Sequence, residues 1–167
     1  MKSSSFNVSS LSQERFQLLS ARLEKLHREV AARCTILADS DGHLITSTGN
    51  LERFPTQQII PLLVGSMAGA IESGQILDKH SEIINLVYLE SKTEYLYAVN
   101  VGSQLLLIIV VDRSPFSTRL GTVWYAGRKT AEELLNILKQ PPETTSRPNP
   151  SSAMIRAIAT LSNALPA

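Results

Sequence analysis

The chain has 167 residues, 43% of them hydrophobic, enough for one well-buried core and too few for two comfortable domains. Sixteen basic and fifteen acidic side chains leave a net charge of +1. No run of Lys or Arg is long enough to neutralise a row of phosphates, so nucleic acid is not an expected partner. The single cysteine, Cys34, cannot form an internal disulfide and has no companion ligands at zinc spacing, which fits a reducing cytoplasm. The first residues, MKSSSFNVSS, lack the apolar centre of a signal peptide. The longest uninterrupted apolar run is far short of the roughly 20 residues that a bilayer span requires, so a soluble cytoplasmic protein without membrane insertion is expected.

Residues 1–9 are serine-rich and without periodicity, and are read as a disordered start. Ser10 then opens a helix, with Gln13 three residues on at capping-box spacing. Phe16, Leu19, Leu23, Leu26 and Val30 recur at steps of three and four and form one apolar stripe. From Cys34 the pattern becomes a strand (35–38), a turn at Asp39-Ser40-Asp41-Gly42 and a second strand (43–48), with Asp-Gly supplying the backbone angle of a tight hairpin. The loop 49–56 leads to a second helix, for which Gly74 is a natural C-cap. Pro61 suits its first turn but would distort it if the helix began at Gln57.

The second helix has two faces. Ile60, Leu63, Val64, Met67, Ala68 and Ile71 make a core stripe, and beside it lie the small residues Gly65, Ser66, Gly69 and Ser73. Two glycines four residues apart each cost a helix about 1 kcal/mol relative to alanine, so they imply the close approach of another backbone. That backbone belongs either to the chain's own sheet or to a second subunit or partner.

Three strands follow as a meander, 83–89, 94–101 and 104–112, joined by tight turns at Ser91-Lys92 and Gly102-Ser103. Leu105 to Val111 reads LLLIIVV. A strand apolar at every position is covered on both faces, which places it mid-sheet between helices and leaves it nothing for acid–base chemistry. The last helix begins near Ser114-Pro115 and buries Leu120, Val123, Trp124, Gly127, Ala131, Leu134, Leu135 and Leu138. The order is helix, two strands, helix, three strands, helix over residues 10–139: an α+β sandwich. A proline-rich linker (140–150) follows. The end of the chain (151–167) carries Ile155, Ile158, Leu161 and Leu165 at helical spacing, too short to be stable alone.

Candidate chemical groups are sparse. Cys34 has no base beside it in sequence and reads as a buried structural thiol. His27, His43 and His80 lack the spacing of a metal pair, and Asp39 and Asp41 lack the remaining ligands of a calcium loop and are turn formers. With no phosphate-binding glycine motif, no cofactor, metal or nucleotide is expected.

The hairpin TILADSDGHLITS (35–47), the small-residue helix LLVGSMAGAIESG (62–74) and the closing run SQLLLIIVVDRSPFSTRLGTVWYAGRKTAEELL (103–135) resemble the roadblock family, dynein-light-chain-type domains that include bacterial gliding-motility regulators of a small GTPase. The resemblance covers about two thirds of the chain. It implies a five-stranded antiparallel sheet with the first and last helices on one face and the second on the other. It further implies a homodimer whose third strand pairs with its copy, which would remove a hazardous apolar edge; Ile83, Asn85, Val87 and Leu89 are then the dimer contacts. Leu62, Gly65, Ser66, Gly69 and Ser73 become the partner-binding surface. The implied function is a non-enzymatic module regulating or scaffolding a Ras-like small GTPase. A PAS- or profilin-like small-molecule sensor and a structural adaptor without a GTPase are the alternatives. The tail is not a family requirement, and special partner choice is expected there.

Overall fold

The computed structural model describes residues 11–78, 85–114 and 119–140. Outside them lie the serine-rich start, His80, Ile83, the linker beyond Gln140 and the helix expected at 151–167. The described elements are α1 (Gln13–Glu29), β1 (Cys34–Asp39), β2 (Leu44–Gly49), α2 (Thr56–Leu77), β3 (Leu86–Glu90), β4 (Glu94–Val101), β5 (Leu105–Asp112) and α3 (Leu120–Lys139). The strands form one antiparallel sheet in the order β2-β1-β5-β4-β3. β5 lies at its centre, buried from Leu105 to Val111, as a strand apolar at every position requires.

Because side chains alternate along a strand, β5 feeds two separate apolar layers. Leu105, Leu107, Ile109 and Val111 meet Leu19, Leu23 and Leu26 of α1 and Val123 and Leu134 of α3. Leu106, Ile108 and Val110 meet Ile60, Leu63 and Met67 of α2. The first and last helices therefore share one face and α2 has the other. α1 and α3 run antiparallel: Arg15 near the start of α1 donates to the Gln140 carbonyl, and mid-helix the largely buried Arg22 pairs with Glu133.

Several boundaries differ from the sequence expectations, each for a local reason. Ser12, not Ser10, caps α1 and accepts the Arg15 amide at 3.3 Å, and Phe16 at that end is 38% exposed. The β1–β2 connection is longer than a two-residue turn. The Asp39 amide donates to the His43 carbonyl, Gly42 has φ +90°, and the register shifts between Leu37 and Ala38. Pro61 falls inside α2, beyond its first turn, where it cannot donate to the Gln57 carbonyl. Gly74 does not end that helix: it is buried and lacks the left-handed backbone of a glycine cap, so α2 continues to Leu77. α3 begins at Leu120 behind Arg119 and not at Ser114-Pro115. β3 begins at Leu86, after Asn85, whose amide donates to Asn100 Oδ1 at 2.6 Å.

Candidate interaction surface

α2 is apolar all round, with Glu72 its one charged residue. Length and composition alone would let it cross a bilayer, and little of it is buried in the fold. Ile60, Leu63 and Met67 hold one side to the sheet. The other side carries its apolar atoms outward, the mark of a helix face covered by something else.

That outward side contains the small-residue patch. Leu62, Gly65, Ser66, Gly69 and Ser73 recur at steps of three and four and share one stripe, extended by Ile76. Leu62 is 72% exposed and Ile76 77%. A Cβ added at Gly65 or Gly69 meets nothing within 4 Å, so the two glycines do not pack on the chain's own sheet, and that reading of the patch is set aside. Ala68, expected in the core stripe, is exposed as well. The Ser66 and Ser73 hydroxyls donate to the Leu62 and Gly69 carbonyls one turn back, at 2.9 and 2.8 Å, which leaves a flatter and less polar surface than the sequence suggests.

Beside α2 lies an edge of the sheet. Among the described residues β3 pairs with β4 on one side only, and α2 packs across both strands. Val87 is half-buried against the α2 layer and Leu89 is exposed; Asn85 is taken up by its backbone pairing with Asn100. The opposite edge, β2, reads LITSTG and is polar where β3 reads LVYLE. Of the two edges, β3 is the apolar one, and it adjoins the apolar helix.

No family model and no curated relative matches the sequence. Solved structures do. MglB of Myxococcus xanthus is 26% identical, with a TM-score of 0.64 over 77% of this chain and 92% of that one. The chain has the fold of the roadblock family. The gliding protein MglB of Thermus thermophilus (23% identity, TM-score 0.64, 76% and 93% covered) has the same fold. So has a Roadblock/LC7 domain of Streptomyces avermitilis (16%, TM-score 0.57, 72% and 98%). The element order and helix placement expected of a roadblock sandwich are those of this chain.

Other candidate groups in this chain serve the fold. Asp39, Asp41 and His43 offer ligand atoms within 4.8 Å of one another. Asp39, however, already accepts the Asp41 and His43 amides at 3.0 and 2.8 Å, and His43 Nδ1 lies 3.2 Å from its other oxygen. The carboxylate is a turn clamp. Cys34 is wholly buried in the α2 layer, and burial pushes its thiol up despite the neighbouring Arg33. It is expected to resist alkylation in the native protein at neutral pH and to react once the chain is unfolded. Labelling followed by mass spectrometry checks this, and stoichiometric native labelling would contradict it.

Proposed function

We propose that this chain is a homodimeric, non-catalytic interaction module of the cytoplasm that regulates or scaffolds a Ras-like small GTPase. The observation that carries the reading is an outward apolar stripe on α2 lying beside the apolar edge of β3. In the proposed dimer, β3 pairs with its copy through the segment holding Ile83, Asn85, Val87 and Leu89, which removes the edge. The two α2 stripes then lie on the same face of a continuous sheet and form one apolar platform. Small residues at Gly65 and Gly69 let a partner's backbone approach closely. Likeness to MglB and the roadblock resemblance of the sequence favour a Ras-like GTPase as that partner.

α2 carries no Arg or Lys to donate to a phosphate. Any acceleration of GTP hydrolysis would come from selecting one arrangement of the GTPase's own loops, with no chemistry donated by this chain. The groove beside α2, lined by Val64, Met67, Ile71, Asn100 and Leu106, holds about 150 Å³. Ligand pockets generally enclose about 300 Å³ or more, so a small-molecule sensor is the weaker reading.

Light scattering of the full chain at micromolar concentration should give the dimer mass; a folded monomer would sink the dimer. Calorimetric titration against purified Ras-like GTPases, loaded with GDP or a non-hydrolysable GTP analogue, should give binding that depends on the nucleotide. Binding indifferent to nucleotide, or none, would leave a structural adaptor.

A further inference from the structure

The face of the sheet opposite α2 has its own open feature. α1 and α3 cover β1, β2, β4 and β5, but no helix among the described residues lies over β3 there. Tyr88 and Tyr97 of the sheet and Leu120, Gly121 and Trp124 of α3 line a groove of about 250 Å³. Helical spacing places Leu120 and Trp124 in the core, yet they are 44% and 42% exposed because the first turns of α3 overhang this uncovered strand.

The groove is built, not merely bare. The Tyr88 and Tyr97 rings lie 5.2 Å apart and Arg128 sits 5.6 Å above the Trp124 ring, fixing three aromatic side chains around it. Tyr97 is only 3% exposed, and its buried hydroxyl has no hydrogen-bond partner among the described residues. A buried, unpaired hydroxyl is costly, and a shift of the Tyr97 ring towards an acceptor in the groove would relieve that cost. Burial, with Tyr88 and Tyr95 alongside, pushes that group up to about 12, so it is a protonated donor at neutral pH.

We propose that the C-terminal segment 151–165 of the same chain occupies this groove as a short helix, its Ile155, Ile158 and Leu161 against Tyr88, Leu120 and Trp124. The reach fits. The chain leaves α3 at Gln140, at the end of the helix far from the groove. To return it must cover the length of α3, whose 20 residues span about 30 Å. Residues 141–150 contain four prolines and, at roughly 3.1 Å per residue in extended form, cover about the same distance. The tether keeps the segment at high effective concentration near the groove, which favours it over an untethered occupant, a second copy included. The segment's apolar residues recur at helical spacing and need a surface to fold on. This site is on the face of the sheet opposite the α2 surface and does not depend on the partner proposed for it, although Tyr88 belongs to the strand that the proposed dimer pairs.

Trp124 is the chain's single tryptophan and stands in the groove, so its fluorescence in the full chain reads the docking. The variant Ile158→Asp/Leu161→Asp should shift emission to the red and raise acrylamide quenching at least about twofold, as a covered ring becomes half-exposed. The thermal midpoint of the domain should change little. A second variant approaches from the other side. A side chain at Gly121 meets nothing within 4 Å, so Gly121→Leu fills the groove without straining α3. It should speed amide exchange in peptides from 151–165 while leaving β5 and α1 protected. Both effects should persist over about a hundredfold dilution, as a tethered contact requires. Trp124 emission indifferent to the tail variant, or tail exchange indifferent to Gly121→Leu, would overturn the proposal. A dependence that vanishes on dilution would overturn it too, by placing the segment on another copy.

Discussion

Gly49→Ala is expected to remove a large part of the domain's stability and to lower its thermal midpoint sharply. Gly49 closes β2 opposite Cys34 with φ +93°. A Cβ there would lie 2.3 Å from the Arg33 carbonyl oxygen, 2.7 Å from His27 Cε1 and 2.8 Å from Cys34 Cα. Two of those three atoms are backbone, and neither has room to give. Arg33 is fixed by the hydrogen bond that its amide donates to the Val110 carbonyl at 2.7 Å and by its pairing with Glu94, and its carbonyl accepts from the Asn50 amide at 2.9 Å. Cys34 starts β1 in the buried centre of the sheet. The left-handed backbone alone costs an L-residue about 1–2 kcal/mol. Separating β2 from β1 adds overpacking of about 1–3 kcal/mol. The sum is about 2–5 kcal/mol, a large part of the stability of a domain this size. Chemical denaturation should show the midpoint falling with the slope unchanged. A loss below about 1 kcal/mol would mean that the β1–β2 pair can open at no cost to the core.

Gly49 also marks where sequence reading stops. A run such as LLLIIVV is legible because burial on both faces leaves a composition that nothing else needs, and β5 lies mid-sheet as that run demands. The order of elements follows from periodicity in the same way, whereas the division of helices between two faces is what the roadblock resemblance implies. A glycine at the end of a strand carries no such signature. Whether it is a loop residue or the one residue that fits between two backbones depends on a neighbour fifteen positions away in sequence. Trp124 fails for a related reason: its spacing is that of a core residue, but what lies opposite it is set by the width of the sheet, and on that face no helix among the described residues lies over β3. Ser10 and Gly74 were plausible caps by residue type, and the nearby Ser12 and Asp78 took the roles because the helix ends are set by where the stripe meets the sheet.

The surface was partly legible. The stripe from Leu62 to Ser73 stands out by composition, but spacing could not say whether the glycines met the chain's own sheet or nothing at all. Open space beside both removes the first possibility. The hydroxyls of Ser66 and Ser73, polar on paper, are spent on their own helix. What remains is an apolar helix face continuous with an apolar strand edge, two features that each call for a cover and that lie next to one another.

From that openness comes the opposite response at Gly69. Replacing an exposed glycine within a helix by a better helix former is expected to stabilise the isolated fold by about 0.5–1 kcal/mol, because the site imposes no strain and the unfolded chain loses freedom. Gly69→Leu should therefore raise or preserve the thermal midpoint. If the proposed platform is where a partner's backbone comes close, the same side chain must hold that partner away, costing about 1–3 kcal/mol of association, or roughly ten- to a hundredfold in affinity. Gly69→Ala, with one methyl group, should fall between the two. Melting curves and binding titrations on the same preparations separate the effects: stability rising while affinity falls is the signature of an interface glycine. Affinity unchanged in Gly69→Leu would remove α2 from the partner surface, and a fall in stability comparable to that of a core substitution would mean that the helix packs on its own domain after all.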